Sequence, residues 1–103
     1  VISSELSEQD RNWYILKGYE ILTDARGNRA WYLNSICYRE DGPAVEWADG
    51  GRAWRNEDGY LHREDGPAVD WASGTREWWL NGKYMTEEQH RRAVSEMKNV
   101  PAT

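Results

Sequence analysis

The sequence predicts a mainly β protein: an antiparallel sheet of tandem β-hairpin repeats, with short helices at the two ends. Three observations carry this. The heptapeptide Arg-Glu-Asp-Gly-Pro-Ala-Val occurs twice, at Arg39–Val45 and Arg63–Val69, an offset of 24. The pattern Gly-x-Arg-x-Trp occurs three times, ending on Trp31, Trp54 and Trp78 at spacings of 23 and 24. The 103 residues include seven Trp and six Tyr but no Phe. Self-similarity at a fixed short period is the signature of a repeat architecture. Here it divides one domain into an N-terminal cap (1–18), a repeat sheet (19–85) and a C-terminal helix (86–99).

In chain order, Ser3 or Ser4 can cap a first helix from Glu5 to about Asn12, with acids in its first turn. The repeats follow. Ala44–Ala48 and Ala68–Ala72 alternate Val and Trp with small or acidic residues, the period of a strand. Asp49-Gly50 and Ser73-Gly74 supply turns, with Arg26-Gly27 as the weaker first counterpart. As two-residue loops they set Val45 opposite Trp54, Trp47 opposite Arg52, Val69 opposite Trp78 and Trp71 opposite Arg76, with Leu22 opposite Trp31 and Asp24 opposite Arg29. That register builds a Trp–Arg face, with Ala44, Glu46, Ala48 and Ala53 on the other side. Pro43 and Pro67, which lack an N–H, mark the entry to each new strand. Thr86-Glu87-Glu88-Gln89 is a capping box opening a second helix to about Lys98, and Pro101 ends the ordered chain.

The repeat is similar to MORN (membrane occupation and recognition nexus) repeats. Trp-Tyr-x-Asn, then Arg-Glu-Asp-Gly-Pro-Ala-Val, a Gly turn and x-Arg-x-Trp resembles more closely the variant of that repeat in bacterial and phage proteins. The likeness covers residues 19–85. Asn34-Ser35 departs from the usual Asn-Gly, and Tyr38 stands where the next copy has His62. The resemblance implies an antiparallel hairpin array used as an interaction surface, without catalytic residues. By association it implies a phage-encoded inhibitor that sterically blocks a host enzyme or defence complex, acting in the host cytoplasm.

Composition narrows the remaining classes. A net charge of −5 gives no basic stripe for nucleic acid and suits a basic partner surface. No apolar run approaches the ~18 residues of a membrane span, and no basic amphipathic helix suits a lipid surface. The N-terminal Val-Ile-Ser-Ser-Glu is polar and unlike a secretory leader, so a cytoplasmic site is expected. The start at Val1 is what a processed chain, or a piece of a longer one, would show. Cys37 is the lone thiol, and with only His62 and His90 beside it no metal site or other cofactor is expected. A Cys37–His62 nucleophile pair has no accompanying oxyanion element.

The arginine-carboxylate triplets recur with the fold's period, which points to scaffolding: Asp bonding local backbone, Arg reaching an acid or carbonyl of the next hairpin. The candidate protein-binding residues are Trp47, Arg52, Trp71, Arg76 and Trp79, since Trp and Arg dominate interface hot spots. The same face or the open sheet edges would also serve a homodimer. The alternative is a small-ligand binder, stacking a nucleotide or glycan on Trp while Arg39 or Arg63 holds a phosphate. Five of the seven Trp hold repeat-equivalent positions, which leaves Trp13, beside the first helix, and Trp79 as the rings the repeat does not explain.

Overall fold

The computed structural model describes residues 6–98. Helix α1 (Glu8–Leu16) leads into strands β1 (Tyr19–Thr23), β2 (Arg29–Leu33), β3 (Ile36–Cys37), β4 (Val45–Glu46), β5 (Arg52–Ala53), β6 (Val69–Asp70), β7 (Arg76–Leu80) and β8 (Lys83–Met85), and then helix α2 (Glu87–Lys98). The strands form one open antiparallel sheet in the order β1-β2-β4-β5-β6-β7-β8, with β3 also paired to β2. None of the described helices is long and apolar enough to cross a membrane.

The hairpin register differs from expectation by one residue. Trp47 N–H donates to the Gly51 carbonyl at 2.9 Å, while Gly50 N–H returns to the Trp47 carbonyl at 3.0 Å. Ala48-Asp49-Gly50 is therefore a three-residue loop, with Gly50 at φ 100°. This is the type I turn plus glycine bulge of three-residue hairpins. The same bonds close Asp24–Asn28 and Trp71–Thr75. Val45 thus pairs with Ala53 and Glu46 with Arg52, while Val69 pairs with Glu77 and Asp70 with Arg76. In the first hairpin Ile21 pairs with Trp31, Leu22 with Ala30 and Thr23 with Arg29. A slip of one residue moves side chains to the other face. The expected Trp–Arg face does not form: Trp47 and Arg52 lie on opposite faces, as do Trp71 and Arg76.

Two rows now run across the sheet. On one face Thr23, Arg29, Glu46, Arg52, Asp70 and Arg76 stand side by side, so charge alternates from strand to strand. Opposite charges in such pairs contribute roughly 0.2–1 kcal/mol each. On the other face the adjoining row is Leu22, Ala30, Val45, Ala53, Val69 and Glu77.

Two further hairpins turn on Asn34-Ser35 (φ 54° and 68°) and Asn81-Gly82 (φ 50° and 81°), with both residues left-handed as a two-residue turn requires. Between them, Asn56–Tyr60 instead closes as a three-residue loop, Gly59 N–H donating to the Asn56 carbonyl at 2.8 Å. That one extra residue turns the 23-residue spacing into 24.

The first helix lies further along the chain than expected. Ser7, not Ser3 or Ser4, is its cap, the Oγ accepting the Asp10 N–H at 3.1 Å. Ser3 and Ser4, like Pro101, lie outside the described residues. The helix runs past Asn12 because Tyr14, on its inner side, is 5% exposed and packs with Tyr19 and Trp31, and Trp13 is a helical residue rather than a neighbour of the helix. Gly18, at φ 96°, ends it. At the other end Thr86 Oγ1 accepts the Gln89 N–H, and Gln89 Oε1 accepts the Thr86 N–H. His90 and Val94 face inward from α2.

Burial pushes the Tyr14, Tyr19 and Tyr38 hydroxyls above 10.0, the ordinary value, and Tyr14's bond to the Asp41 carboxylate adds to its shift. Above that pH the unfolded chain gives up tyrosyl protons that the folded chain retains, so stability falls as pH rises. Urea midpoints should drop as pH rises past 9.0, first with the buried Cys37 thiol, whose pKa burial also raises, and then with the tyrosines above 10.0, tyrosinate absorbance rising as the chain unfolds. A midpoint that is flat through the tyrosine range would contradict this burial.

Candidate interaction surface

The face carrying Trp31, Trp54 and Trp78 is built as three roofed rings. Arg39 lies over Trp31 at 4.1 Å and Arg63 over Trp54 at 3.7 Å. Each guanidinium also bonds its own loop. Arg39 Nε reaches Asp41 at 3.0 Å and Nη1 the Pro43 carbonyl at 3.3 Å, and Arg63 repeats this with Asp65 and Pro67. A Cβ on Gly42 would stand 3.1 Å from the Arg39 guanidinium carbon, and one on Gly66 2.9 Å from that of Arg63. The Arg-Glu-Asp-Gly-Pro motif is thus a clamp: arginine lies between a Trp ring and a glycine, its donors used by Asp and the Pro carbonyl. The Asp serves the Arg side chain, where sequence reasoning placed it on backbone N–H groups. Trp78 has His90 of α2 instead, with ring centres 5.1 Å apart and Nε2 donating to the Arg63 carbonyl at 2.6 Å. Tyr14 of α1 closes over Trp31 at 6.0 Å. Both helices therefore lie on this face.

Arg39 and Arg63, the candidate phosphate holders, line a groove of about 730 Å³ between the two loops. Glu40, Asp41, Glu64 and Asp65 line it as well. With Arg39 Nη2 donating to Tyr14 Oη, its three nitrogens all have partners inside the fold. Glu57 and Arg55 line it too, so an anion entering here meets five carboxylates and three arginines already bonded within the fold, Arg55 Nη1 donating to the Gly59 carbonyl at 2.8 Å.

The other face carries no helix among the described residues. Trp47 stacks on Trp71 with centres 5.1 Å apart and planes 18° from parallel. Trp71 Nε1 donates to Glu77 Oε2 at 2.7 Å, and Trp79 Nε1 to Glu77 Oε1 at 2.9 Å. Tyr84 meets Trp79 edge-on at 5.3 Å. One carboxylate therefore holds two indoles at fixed angles, and a third is stacked on the first. Trp71 remains 40% exposed and Tyr84 60%. Gly51 makes this arrangement possible, since a Cβ there would stand 3.0 Å from Trp47 Cε3. The first hairpin lacks the ring because Asp24 holds that position. Its carboxylate accepts the Asn28 side-chain amide and the Asn28 and Arg26 N–H groups, which keep it below the usual range.

Of the five predicted binding residues, the structure brings together Trp47, Trp71 and Trp79. Arg52 and Arg76 project from the opposite face. Glu77, which organises the cluster, was missed. Its signal was present: the third Gly-x-Arg-x-Trp has Glu where the first two have Ala30 and Ala53.

Cys37 and His62 serve local structure. The thiol points to the Ala44 carbonyl at 3.9 Å, and burial raises its pKa, the reverse of an activated nucleophile. His62 Nδ1 accepts the Asn81 N–H at 2.9 Å, so Nε2 carries the proton and faces Glu64 at 3.2 Å. Among the described residues no three His, Cys, Asp or Glu side chains converge as metal ligands.

In comparisons with protein-family models, curated proteins and solved structures, nothing matches this chain.

Proposed function

We propose that the protein is a non-enzymatic interaction module, an array of tandem MORN-like hairpins that docks on a partner protein through its helix-free face. The observation that carries this is the Trp47–Trp71–Glu77–Trp79 cluster on a face no described helix covers. Trp71 is exposed and Trp79 and Trp47 are half-buried. Rings fixed in this way contribute contact area with little ordering cost on binding, and Trp is the residue most enriched at interface hot spots. The net charge of −5 favours a partner surface that is apolar at its centre and basic around it. The likeness to bacterial and phage repeats supports a cytoplasmic inhibitor that acts by occupying a host protein's functional surface, with no chemistry of its own.

The test is a double variant, Trp71→Ala with Trp79→Ala, compared with the parent chain in affinity capture from the bacterial host. Loss of one hot-spot ring typically costs 2 kcal/mol or more, about thirtyfold in affinity. The double variant should lose the dominant captured protein while its far-ultraviolet circular dichroism stays that of the parent. Undiminished capture would overturn the assignment of this face. Sedimentation of the parent chain alone decides whether the captured partner is a second copy.

A further inference from the structure

The sheet ends on β1 at one side and β8 at the other, and the two ends are finished differently. β8 is three residues long, begins on exposed Lys83 and leads into α2 after one residue. Short length and lysine are ordinary means of keeping an edge strand from pairing. β1, Tyr-Glu-Ile-Leu-Thr, is five residues long and has neither lysine nor proline.

The backbone groups of β1 divide cleanly. Trp31, opposite Ile21, gives its N–H to the Ala44 carbonyl, and its own carbonyl accepts the Tyr38 N–H, both away from β1. Asp24 N–H donates back to the Asn28 carbonyl. Glu20 and Leu22 therefore bond to β2, and by alternation Tyr19, Ile21 and Thr23 turn their N–H and C=O groups outward. Among the described residues no strand lies on that side, and no turn or loop bond takes these groups. The repeat-equivalent strands β4 and β6 have β2 and β5 there.

We propose that the outer edge of β1 is a self-association surface, pairing antiparallel with β1 of a second copy about a two-fold axis through Ile21. This register sets Ile21 against its own copy, Tyr19 against Thr23 and Glu20 against Leu22, so every outward residue meets an outward residue. Asp24 falls opposite Gly18. A two-fold through Leu22 would set Glu20 against Asp24, and one through Glu20 would set that carboxylate against its copy, like charges directly opposite. A two-fold through Tyr19 or Thr23 would run the pairing into the end of α1 or into the Arg26-Gly27 turn. One register is left, and a symmetric pair closes on itself instead of growing into a fibre.

Residues opposite each other in an antiparallel pair share a face, so each face of the sheet continues across the axis. α1 packs on β1 through Tyr14 and Tyr19, which brings both copies of α1 to one side of the joined sheet. Trp13, Ile15 and Leu16, exposed on α1 in the single chain, lie in that region. The helix-free faces join on the other side and carry two Trp47–Trp71–Trp79 clusters. A bivalent docking surface is the consequence. It rests on the function proposed above, whereas the pairing does not.

The probe is the full chain alone, in sedimentation equilibrium from micromolar to millimolar concentration. It should pass from monomer to dimer and no further. Thr23→Pro, at an exposed position, removes an outward N–H that the chain does not bond internally. It should leave a monomer with the far-ultraviolet circular dichroism of the parent. Exposed Leu22 tests the register without touching the backbone. Leu22→Glu meets the second copy's Glu20 as a like charge at two symmetric places, and Leu22→Lys meets it as an ion pair. The lysine chain should dimerise about tenfold more tightly than the glutamate chain. Adding Glu20→Lys to Leu22→Glu should restore pairing. A monomer throughout, larger species, a dimer indifferent to Thr23→Pro, or equal dimer affinities for the two Leu22 variants would overturn the proposal. Trp71→Ala with Trp79→Ala should leave the dimer intact, so the edge and the helix-free face are tested apart, and a dimer lost in that variant would equally overturn the edge.

Discussion

Trp31→Ala is expected to lower the unfolding free energy by about 3–5 kcal/mol, read from urea denaturation. For a domain of this size, with about 5–15 kcal/mol in total, that is a large fraction. Trp31 has zero exposure and is the largest fully buried side chain. It is enclosed by Tyr14 of α1, by Arg39 at 4.1 Å and by Arg29 at 5.7 Å. Removing the ring opens a cavity that α1, the sheet and the first clamp all border, and no single neighbour can fill it. Trp31 Nε1 is buried without a hydrogen-bond partner among the described residues. Trp31→Phe keeps most of the packing and deletes that unmet donor, so it should cost far less than the alanine change. Trp54 supplies the internal comparison. It sits at the same place in the next repeat, half-buried, with Arg63 above it but no helix. Its alanine variant should lose roughly half as much, on the buried-area scaling of such changes. Equal losses at the two positions would mean that α1 does not seal the first ring.

The sequence exposed the hairpins and hid their register. Glycine after Asp or Ser shows where a turn falls. But Asp49-Gly50 reads equally well as both residues of a two-residue loop or as the last two of three. These readings differ by one residue, and one residue decides the face. The expected pairing of Trp47 with Arg52 failed for that reason alone. The role of the clamp arginines was hidden by distance: Arg39 lies eight residues beyond Trp31, and Arg63 nine beyond Trp54, with a hairpin between. Only the folded turn brings ring and guanidinium together. The recurrence of the triplet still marked it as scaffold. The first helix was misplaced because Trp13-Tyr14-Ile15-Leu16 reads like the start of a strand, and tertiary packing of Tyr14 overrides that local signal. Trp79 and Glu77 were legible in a different way, as departures from the repeat.

One motif in two settings gives the second large effect. Arg39→Leu should cost about 2–3 kcal/mol: the half-exposed ion pair counts little, and the lost stacking on Trp31 and the part-buried Tyr14 and Pro43 groups left short of partners make up the rest. Arg63→Leu should cost about 1–2 kcal/mol, the sum of an exposed ion pair and one cation–π contact. The two clamps share their Nε–Asp bond, their Nη1–carbonyl bond and their Trp ring. They differ in what closes over them. The Arg39 side chain is 13% exposed and its Asp41 partner 44%, against 24% and 84% for Arg63 and Asp65. Tyr14 Oη donates to Asp41 at 2.9 Å and accepts from Arg39, which places the hydroxyl of α1 inside the first clamp. Glu46 approaches Arg39 Nη1 at 3.7 Å as well. Deleting Arg39 therefore leaves Asp41, Tyr14 and the Pro43 carbonyl short of partners and loosens α1 from the sheet, while deleting Arg63 leaves groups that water reaches. Arg39→Lys should recover little, because an ammonium cannot stack on Trp31 and bond three fixed acceptors in one plane. The readout is a urea series on the three variants, with near-ultraviolet circular dichroism reporting the aromatic contacts of α1. Similar losses for Arg39→Leu and Arg63→Leu would show that α1 adds nothing to the clamp. Full recovery by lysine would show that charge alone, without the planar fork, holds it.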